Sequence, residues 1–263
     1  MTTAIYGVGS MGGAILEALA GDGTEVLAVE GNPERAAELR ERYADRGSVE
    51  VTDATSAAER ADVHLVIVKP YSVAGLLEEI APALRPGSIV LSLALGVSLA
   101  DLAAGLPEGT AAIRGMPNTP AKVGLGMTVL SPAETVTDEQ LEQVRTLLAP
   151  TGQTLVLPES QQDVATALSG SAPAYFYLVV EAMVDAGVAR GLTREHARTL
   201  AAGAAHGAGA MLTGTEEEPA VLRAQVTSPG GSTAAALARL EAHGLRHALA
   251  DAIDTCADRS AGR

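Results

Sequence analysis

The sequence predicts an α/β protein, with an N-terminal Rossmann-type, doubly wound parallel sheet followed by an all-α C-terminal domain. Three observations lead there. Short runs rich in Val, Ile and Leu alternate with helical stretches through the first half, a G-x-G-x-x-G loop follows the first of those runs, and no convincing strand occurs after Pro158. Strands that alternate with helices must be joined by crossovers, which gives parallel βαβ units.

Taken in order, strands are expected at residues 4–8, 25–30, 49–52, 63–68, 88–94 and 110–114. Helical patterns lie between them near 11–19, 33–43, 73–84 and 98–102. A further strand pair at 127–130 and 154–157 brackets a helix at 138–148. From about residue 161 helical periodicity runs on, broken at Gly191–Thr193, at 214–219 and at Ser228-Pro229-Gly230-Gly231. The expected organisation is a dinucleotide-binding Rossmann domain over 1–157 and a helical substrate-binding and dimerisation domain over 158–263. Residues 174–188 are apolar around most of a helix circumference, and 201–211 are almost all Ala and Gly. So short a tail cannot bury such helices alone. They could pack on the first domain; a homodimer sharing one helical core is the preferred solution, with or without assembly of dimers into something larger.

Composition narrows the function classes. The chain has no Trp and one Phe at 47% hydrophobic content, so its core is aliphatic. A net charge of −14, spread along the chain, repels polyanions, so nucleic acid and anionic membrane surfaces are not expected partners. An anionic ligand must then be held by local positive potential, which points to N–H groups at helix starts. The single cysteine, Cys256, leaves no internal disulfide and fits a reducing compartment. Thr3-Ala4-Ile5-Tyr6 reads as a strand rather than a leader, and no apolar run of the roughly 18 residues that a span needs is evident. A cytoplasmic protein is expected.

The loop Gly7-Val8-Gly9-Ser10-Met11-Gly12 sits between a strand and a helix, the context a dinucleotide fingerprint requires. Gly7 permits the tight turn, Gly9 lets backbone approach a pyrophosphate, and Gly12 lets helix and strand pack closely. Glu30 ends the second strand and could accept hydrogen bonds from ribose hydroxyls, which favours NADH. Asn32 and Arg35 follow at once, and Arg35 could meet the 2′-phosphate of NADPH. These two signals disagree. Val68-Lys69-Pro70 ends another strand at the carboxyl edge, where ligands of open sheets bind. Lys69 is one of two lysines in the chain; its backbone is expected to line the cleft, with its ammonium equally at home snorkelling to water.

Three further segments complete a set: Met116-Pro117-Asn118-Thr119-Pro120, Ser169-Gly170-Ser171-Ala172-Pro173-Ala174-Tyr175, and Val226-Thr227-Ser228-Pro229-Gly230-Gly231-Ser232-Thr233. In order and spacing, together with the glycine loop and Val68-Lys69-Pro70, they resemble the motifs of pyrroline-5-carboxylate reductases along essentially the whole chain. The resemblance implies a Rossmann domain, a helical dimerisation domain and reduction of 1-pyrroline-5-carboxylate to L-proline, the final step of proline biosynthesis. It tips the cofactor toward NADPH over NADH. It implies that Ala94 stands beside the nicotinamide, that Asn118 binds there by orienting the loop between Met116 and Pro120, and that Ser171 and Pro173 line the facing wall; the plainer alternative for Asn118 is a turn residue between prolines. Two departures are visible: the family has Gly where Ala172 stands, and Ala-Ala-Gly where this chain has Ala94-Leu95-Gly96.

Read from the residues, Ser228, Gly230, Gly231, Ser232 and Thr233 open a helix whose first N–H groups an anion could approach closely, since Gly230 and Gly231 carry no Cβ. That is a carboxylate site for an imino-acid substrate; the plainer alternative is an N-cap. The resemblance favours the carboxylate site and implies that the Thr233 hydroxyl supplies or relays the proton to the imine nitrogen. His243 and His247 are four apart, but Gly244 should break the helix between them, and no metal is expected. A β-hydroxyacid dehydrogenase would need a lysine in the helical part, and 158–263 contains none. A reductase of a related cyclic imino acid and a non-catalytic nucleotide-binding sensor are the remaining alternatives.

Overall fold

A computed structural model describes residues 1–262. Eight strands form one sheet: β1 Thr2–Tyr6, β2 Glu25–Val29, β3 Val49–Val51, β4 Val63–Val66, β5 Ile89–Ser92, β6 Ala111–Met116, β7 Gly126–Pro132 and β8 Gly152–Val156. Their order is β3-β2-β1-β4-β5-β6-β7-β8. The helices that connect them are α1 Ser10–Gly21, α2 Pro33–Arg42, α3 Ala54–Arg60, α4 Pro70–Ile80, α5 Leu99–Gly105 and α6 Asp138–Leu148. The chain reverses direction of travel across the sheet between β1 and β4, which leaves a crevice at the carboxyl ends of those strands.

The pleat sorts side chains to two apolar layers, as period two demands. Ile5, Leu65, Leu91 and Ile113 pack toward α1 and α6, while Ala4, Tyr6, Val66, Val90 and Ala112 pack toward α3, α4 and α5. Burying each large aliphatic side chain contributes roughly 1.5–3 kcal/mol. The sheet is the parallel one expected except at one pairing: β6 and β7 run antiparallel from Ile113↔Pro132 to Met116↔Val129. The connection between them is one short 3-10 turn, Thr119–Val123, too small for a crossover. The sequence reading also passed over α3, a seven-residue Ala-rich helix capped by Asp53, whose side chain accepts from Ser56 N at 2.8 Å.

Contacts divide the described residues into two compact units, 1–170 with 257–262, and 171–256. The expected boundary near 158 marks where β-structure ends, but the following α7 (Gln162–Ala165) remains with the sheet. Gln162 is fully buried and its Nε2 donates to Ser131 Oγ at 2.8 Å. Arg114, only 13% exposed, reaches from β6 to Glu159 at 3.1 Å and to Asp163 at 3.7 Å. Ser260 donates to the same Asp163 carboxylate at 2.9 Å, which brings the end of the last helix back to this unit.

The second unit is helical: α8 Ala172–Ala189, α9 Arg194–Gly214, α10 Pro219–Gln225, α11 Ser232–Ala242 and most of α12 Leu245–Ser260. Its buried apolar cluster is small, Val184, Ala197 and Ala201. Phe176, Tyr177 and Leu178 on α8 are each about two-thirds exposed. The helical run Glu159–Ala189 is long and apolar enough to cross a membrane, with 11% of its most apolar window buried, contrary to the expectation that no segment reaches that mark. Separate short helical patterns join end to end there and produce the length.

Tyr6 and His64 are fully buried side by side, Tyr6 Oη lying 3.0 Å from His64 Nδ1. Burial, with Arg85 nearby, lowers the His64 pKa to about 4, and burial beside Glu79 raises that of Tyr6. Between about pH 6.5 and pH 4 the unfolded chain holds a proton that folded His64 does not, so stability falls as pH falls through that window. Urea melts should therefore show His64→Gln losing roughly 2 kcal/mol less stability than wild type between pH 7 and pH 4.5. Equal losses would place the acid sensitivity elsewhere.

Candidate functional site

The glycine loop is fixed by three glycines with separate roles. Gly7 has φ +95°, in the left-handed region. A Cβ on Gly12 would stand 2.0 Å from the Gly7 carbonyl oxygen, so loop and helix touch backbone to backbone. Around Gly9, by contrast, no atom lies within 4 Å of where a Cβ would sit. Gly9 is also the N-cap of α1, and no side chain caps that helix. Uncapped N–H groups behind an open glycine suit a pyrophosphate, which needs close approach and donors together.

A cleft of about 860 Å³ opens beside this loop. From the loop it is lined by Gly7, Gly9, Ser10, Met11 and Gly12; from the end of β2 and start of α2, by Glu30, Asn32 and Arg35. Val68, Lys69 and Pro70 after β4, and Ala94 after β5, complete the expected lining. Leu95, where the chain departs from the family pattern, stands half-exposed on the same wall. The sequence reading missed Tyr6, Thr52, Asp53, Ser72 and Glu79, which also line the cleft. The carboxyl ends of β1, for Tyr6, and of β3, for Thr52 and Asp53, were the available signal.

Val8 and Asn118, the other two residues expected at the cofactor, are engaged by protein groups. Val8 is buried behind the loop, its N–H donating to Glu30 Oε2 at 3.2 Å. Asn118 is nine-tenths buried and engaged by protein. Its Nδ2 donates to Ser169 O at 3.2 Å and to Ser169 Oγ at 3.4 Å, while its Oδ1 accepts from Met127 N at 2.9 Å. Asn118 thus ties the 116–120 segment to Ser169 and to β7. A Cβ on Gly170 would come within 2.6 Å of Met116 Cε, so the two motif segments also meet through an apolar contact.

In the helical unit, Ser171 is the N-cap of α8 and Pro173 sits in its first turn, where a missing N–H costs nothing. The Cys256 thiol donates to Ser171 Oγ at 3.3 Å. Beside them the Tyr175 pKa is raised, with the Cys256 contact the largest cause. At α11 the chain makes a Pro-Gly turn: Ser228 O accepts from Gly231 N at 3.0 Å, with Gly230 at φ +71°. A Cβ on Gly231 would strike Ser228 Oγ at 2.5 Å. Gly231 is the N-cap and no side chain caps α11, so Ser228, Ser232 and Thr233 do not serve as its cap. The first-turn N–H groups are free of a side-chain cap, and Ser232 and Thr233 are the first two residues of that helix, a composition fit for a carboxylate. Gly244, at φ +72°, breaks the helix between His243 and His247, and among the described residues no group of three metal-ligating side chains occurs.

Comparison with known proteins agrees with both halves. Residues 159–262 match the family model described as pyrroline-5-carboxylate reductase dimerisation, and residues 2–96 match that of NADP oxidoreductase coenzyme F420-dependent. The pyrroline-5-carboxylate reductase of Corynebacterium melassecola is 41% identical, over 98% of this chain and 97% of that protein. Among solved structures, a pyrroline-5-carboxylate reductase from Coxiella burnetii superposes with TM-score 0.91 at 32% identity, over 99% of this chain and 97% of that one. The Plasmodium falciparum pyrroline carboxylate reductase with NADP bound gives TM-score 0.84 at 24% identity, over 99% and 97% of the two chains, a likeness of fold. At this identity along nearly its whole length, with an uncapped glycine loop and an uncapped α11, the chain belongs to the pyrroline-5-carboxylate reductase family.

Proposed function

We propose that this protein reduces 1-pyrroline-5-carboxylate to L-proline with hydride from NADPH, completing proline biosynthesis. The observation that carries the reading is the start of α11: a helix N-terminus without a side-chain cap, behind two glycines, in a chain of net charge −14. Such a protein has few other ways to hold a substrate carboxylate. The companion requirement is a dinucleotide cleft, and the open Gly9 beside the α1 start fits one.

A nicotinamide held in this cleft would supply the hydride for the imine carbon. The residues of this chain do the rest. Gly7, Gly9, Ser10, Met11 and Gly12 would hold the pyrophosphate at the start of α1; Glu30, Asn32 and Arg35 would form the adenosine end of the cleft; Val68, Lys69, Pro70 and Ala94 would line the path toward the nicotinamide. Val8 and Asn118 support these walls from behind. Ser228, Gly230, Gly231 and Ser232 orient the substrate carboxylate, with Ser171 and Pro173 shaping the pocket. Thr233 would deliver a proton to the imine nitrogen as the carbon takes the hydride, so that the product amine forms without a free amide anion on nitrogen. Holding both reactants in one geometry supplies most of the rate.

The exposed apolar residues of α8 belong to a homodimer interface in this reading. Phe176, Tyr177 and Leu178 would be covered by a second copy, and the match of 159–262 to a dimerisation model supports that over a membrane role for the same run. Larger assemblies of dimers, a cytoplasmic location and the absence of nucleic-acid partners are part of the same proposal.

The deciding experiment follows NADPH and NADH absorbance separately with purified protein and racemic 1-pyrroline-5-carboxylate. Oxidation matched by proline formation is expected, faster with NADPH. No oxidation with either nucleotide by folded, dimeric protein would overturn the reading.

A further inference from the structure

Glu30 is the residue that sequence logic would assign to the ribose hydroxyls, yet its carboxylate is turned to the protein backbone. Oε2 accepts from Val8 N at 3.2 Å and Oε1 from Asn32 N at 3.0 Å. The other charged residue of this corner grips the same Val8: Arg35 Nη2 donates to Val8 O at 3.3 Å. The two faces of one residue in the pyrophosphate loop are therefore held from the adenosine end of the cleft. Val8 itself is buried, and its apolar side chain offers a ligand nothing. Gly7 and Gly9 on either side have little intrinsic conformational preference, so the loop takes its shape from what holds Val8.

We infer that Glu30 is a positioning residue for the pyrophosphate loop, acting through Val8 on both nucleotides alike, and that it does not select NADH. The inference rests on the cofactor reading given above. With both carboxylate oxygens bonded to backbone amides, Glu30 sets the loop before a nucleotide arrives. Discrimination then falls to Arg35, whose guanidinium has one long hydrogen bond and further N–H groups to offer a 2′-phosphate. A phosphate that draws Arg35 away leaves the Val8 N–H still held by Glu30, so the loop keeps its shape when NADPH binds.

The test is equilibrium titration of NADPH and NADH, read by nucleotide fluorescence, on wild type, Glu30→Gln and Glu30→Asp, with 2′-AMP measured by competition. Glu30→Gln keeps one acceptor oxygen and Glu30→Asp shortens the reach. Both should weaken NADPH and NADH by a similar factor, on the order of tenfold for one charge-assisted bond, and leave 2′-AMP, which lacks a pyrophosphate, within about twofold. In turnover the same variants should raise nucleotide KM with kcat nearly unchanged. Selective weakening of NADH, with NADPH unaffected, would make Glu30 a ribose acceptor and overturn the inference, as would affinities unchanged for both nucleotides. Wild-type protein that binds nucleotide but forms no proline would sink the proposed reaction and leave the loop inference standing. Wild type that binds neither nucleotide would sink both.

Discussion

Gly12→Ala should abolish nucleotide binding and destabilise the protein, whereas Gly9→Ala, three residues earlier, should abolish binding alone. The methyl on residue 12 would lie 2.0 Å from the Gly7 carbonyl oxygen, and both partners are backbone, so neither can rotate aside. Relief requires α1 to move away from the loop, which breaks the contact of Leu16 and Leu19 with the sheet. Overpacking of this kind costs about 3 kcal/mol or more. At Gly9 the backbone is extended with negative φ, −75°, and nothing lies within 4 Å of the new methyl. The only thing that methyl would meet is a ligand. Thermal melts should drop by several degrees for Gly12→Ala and stay at the wild-type value for Gly9→Ala, while fluorescence titration shows NADPH affinity reduced by about a hundredfold or more in both. A Gly9→Ala protein that binds NADPH normally would move the pyrophosphate elsewhere.

Thr233→Ala should lower kcat by roughly a thousandfold while changing substrate KM little, the range in which a positioned proton donor contributes. Thr233 is half-buried in the first turn of α11, and the helix takes no cap from it, so removing its hydroxyl leaves the fold intact. Thr233→Ser keeps the hydroxyl and should retain most of the activity. Full turnover by Thr233→Ala at saturating substrate would hand the proton to water and leave the α11 start as a carboxylate site only.

Much of this was legible before any coordinates. Parallel strands buried on both faces need apolar runs, and those runs stand out against an aliphatic sequence; α6 at Asp138–Leu148 is bounded by a Thr137–Gln140 capping box and matches its expectation to the residue. The glycine loop was legible because its constraints are local: a turn, an approach and a packing contact within six residues. What stayed hidden was long-range or directional. Nothing in 110–132 states whether β7 runs with or against β6. Asn118 reads as a turn residue or a ligand contact until Ser169 arrives from 51 residues away. Arg114 carried a signal that went unread, since a charged residue inside a buried strand must be paired, and its partners Glu159 and Asp163 come from the far side of the expected boundary. Glu30 stands where the pattern expects an acidic residue, but its carboxylate accepts from Val8 N and Asn32 N, a direction that spacing does not encode.

The sheet-bearing unit is discontinuous, since residues 257–262 belong with 1–170 and the helical unit lies between them in the chain. Its Arg114–Asp163–Ser260 connection therefore closes a loop through the whole of 171–256. While the helices are folded, that loop is spanned by rigid structure; once they melt, the same closure must be maintained by a floppy chain, at an entropic cost of about 4 kcal/mol for a loop of this length. Melting one unit thus weakens the other through connectivity alone. A single cooperative unfolding transition is the thermodynamic signature of such an insertion.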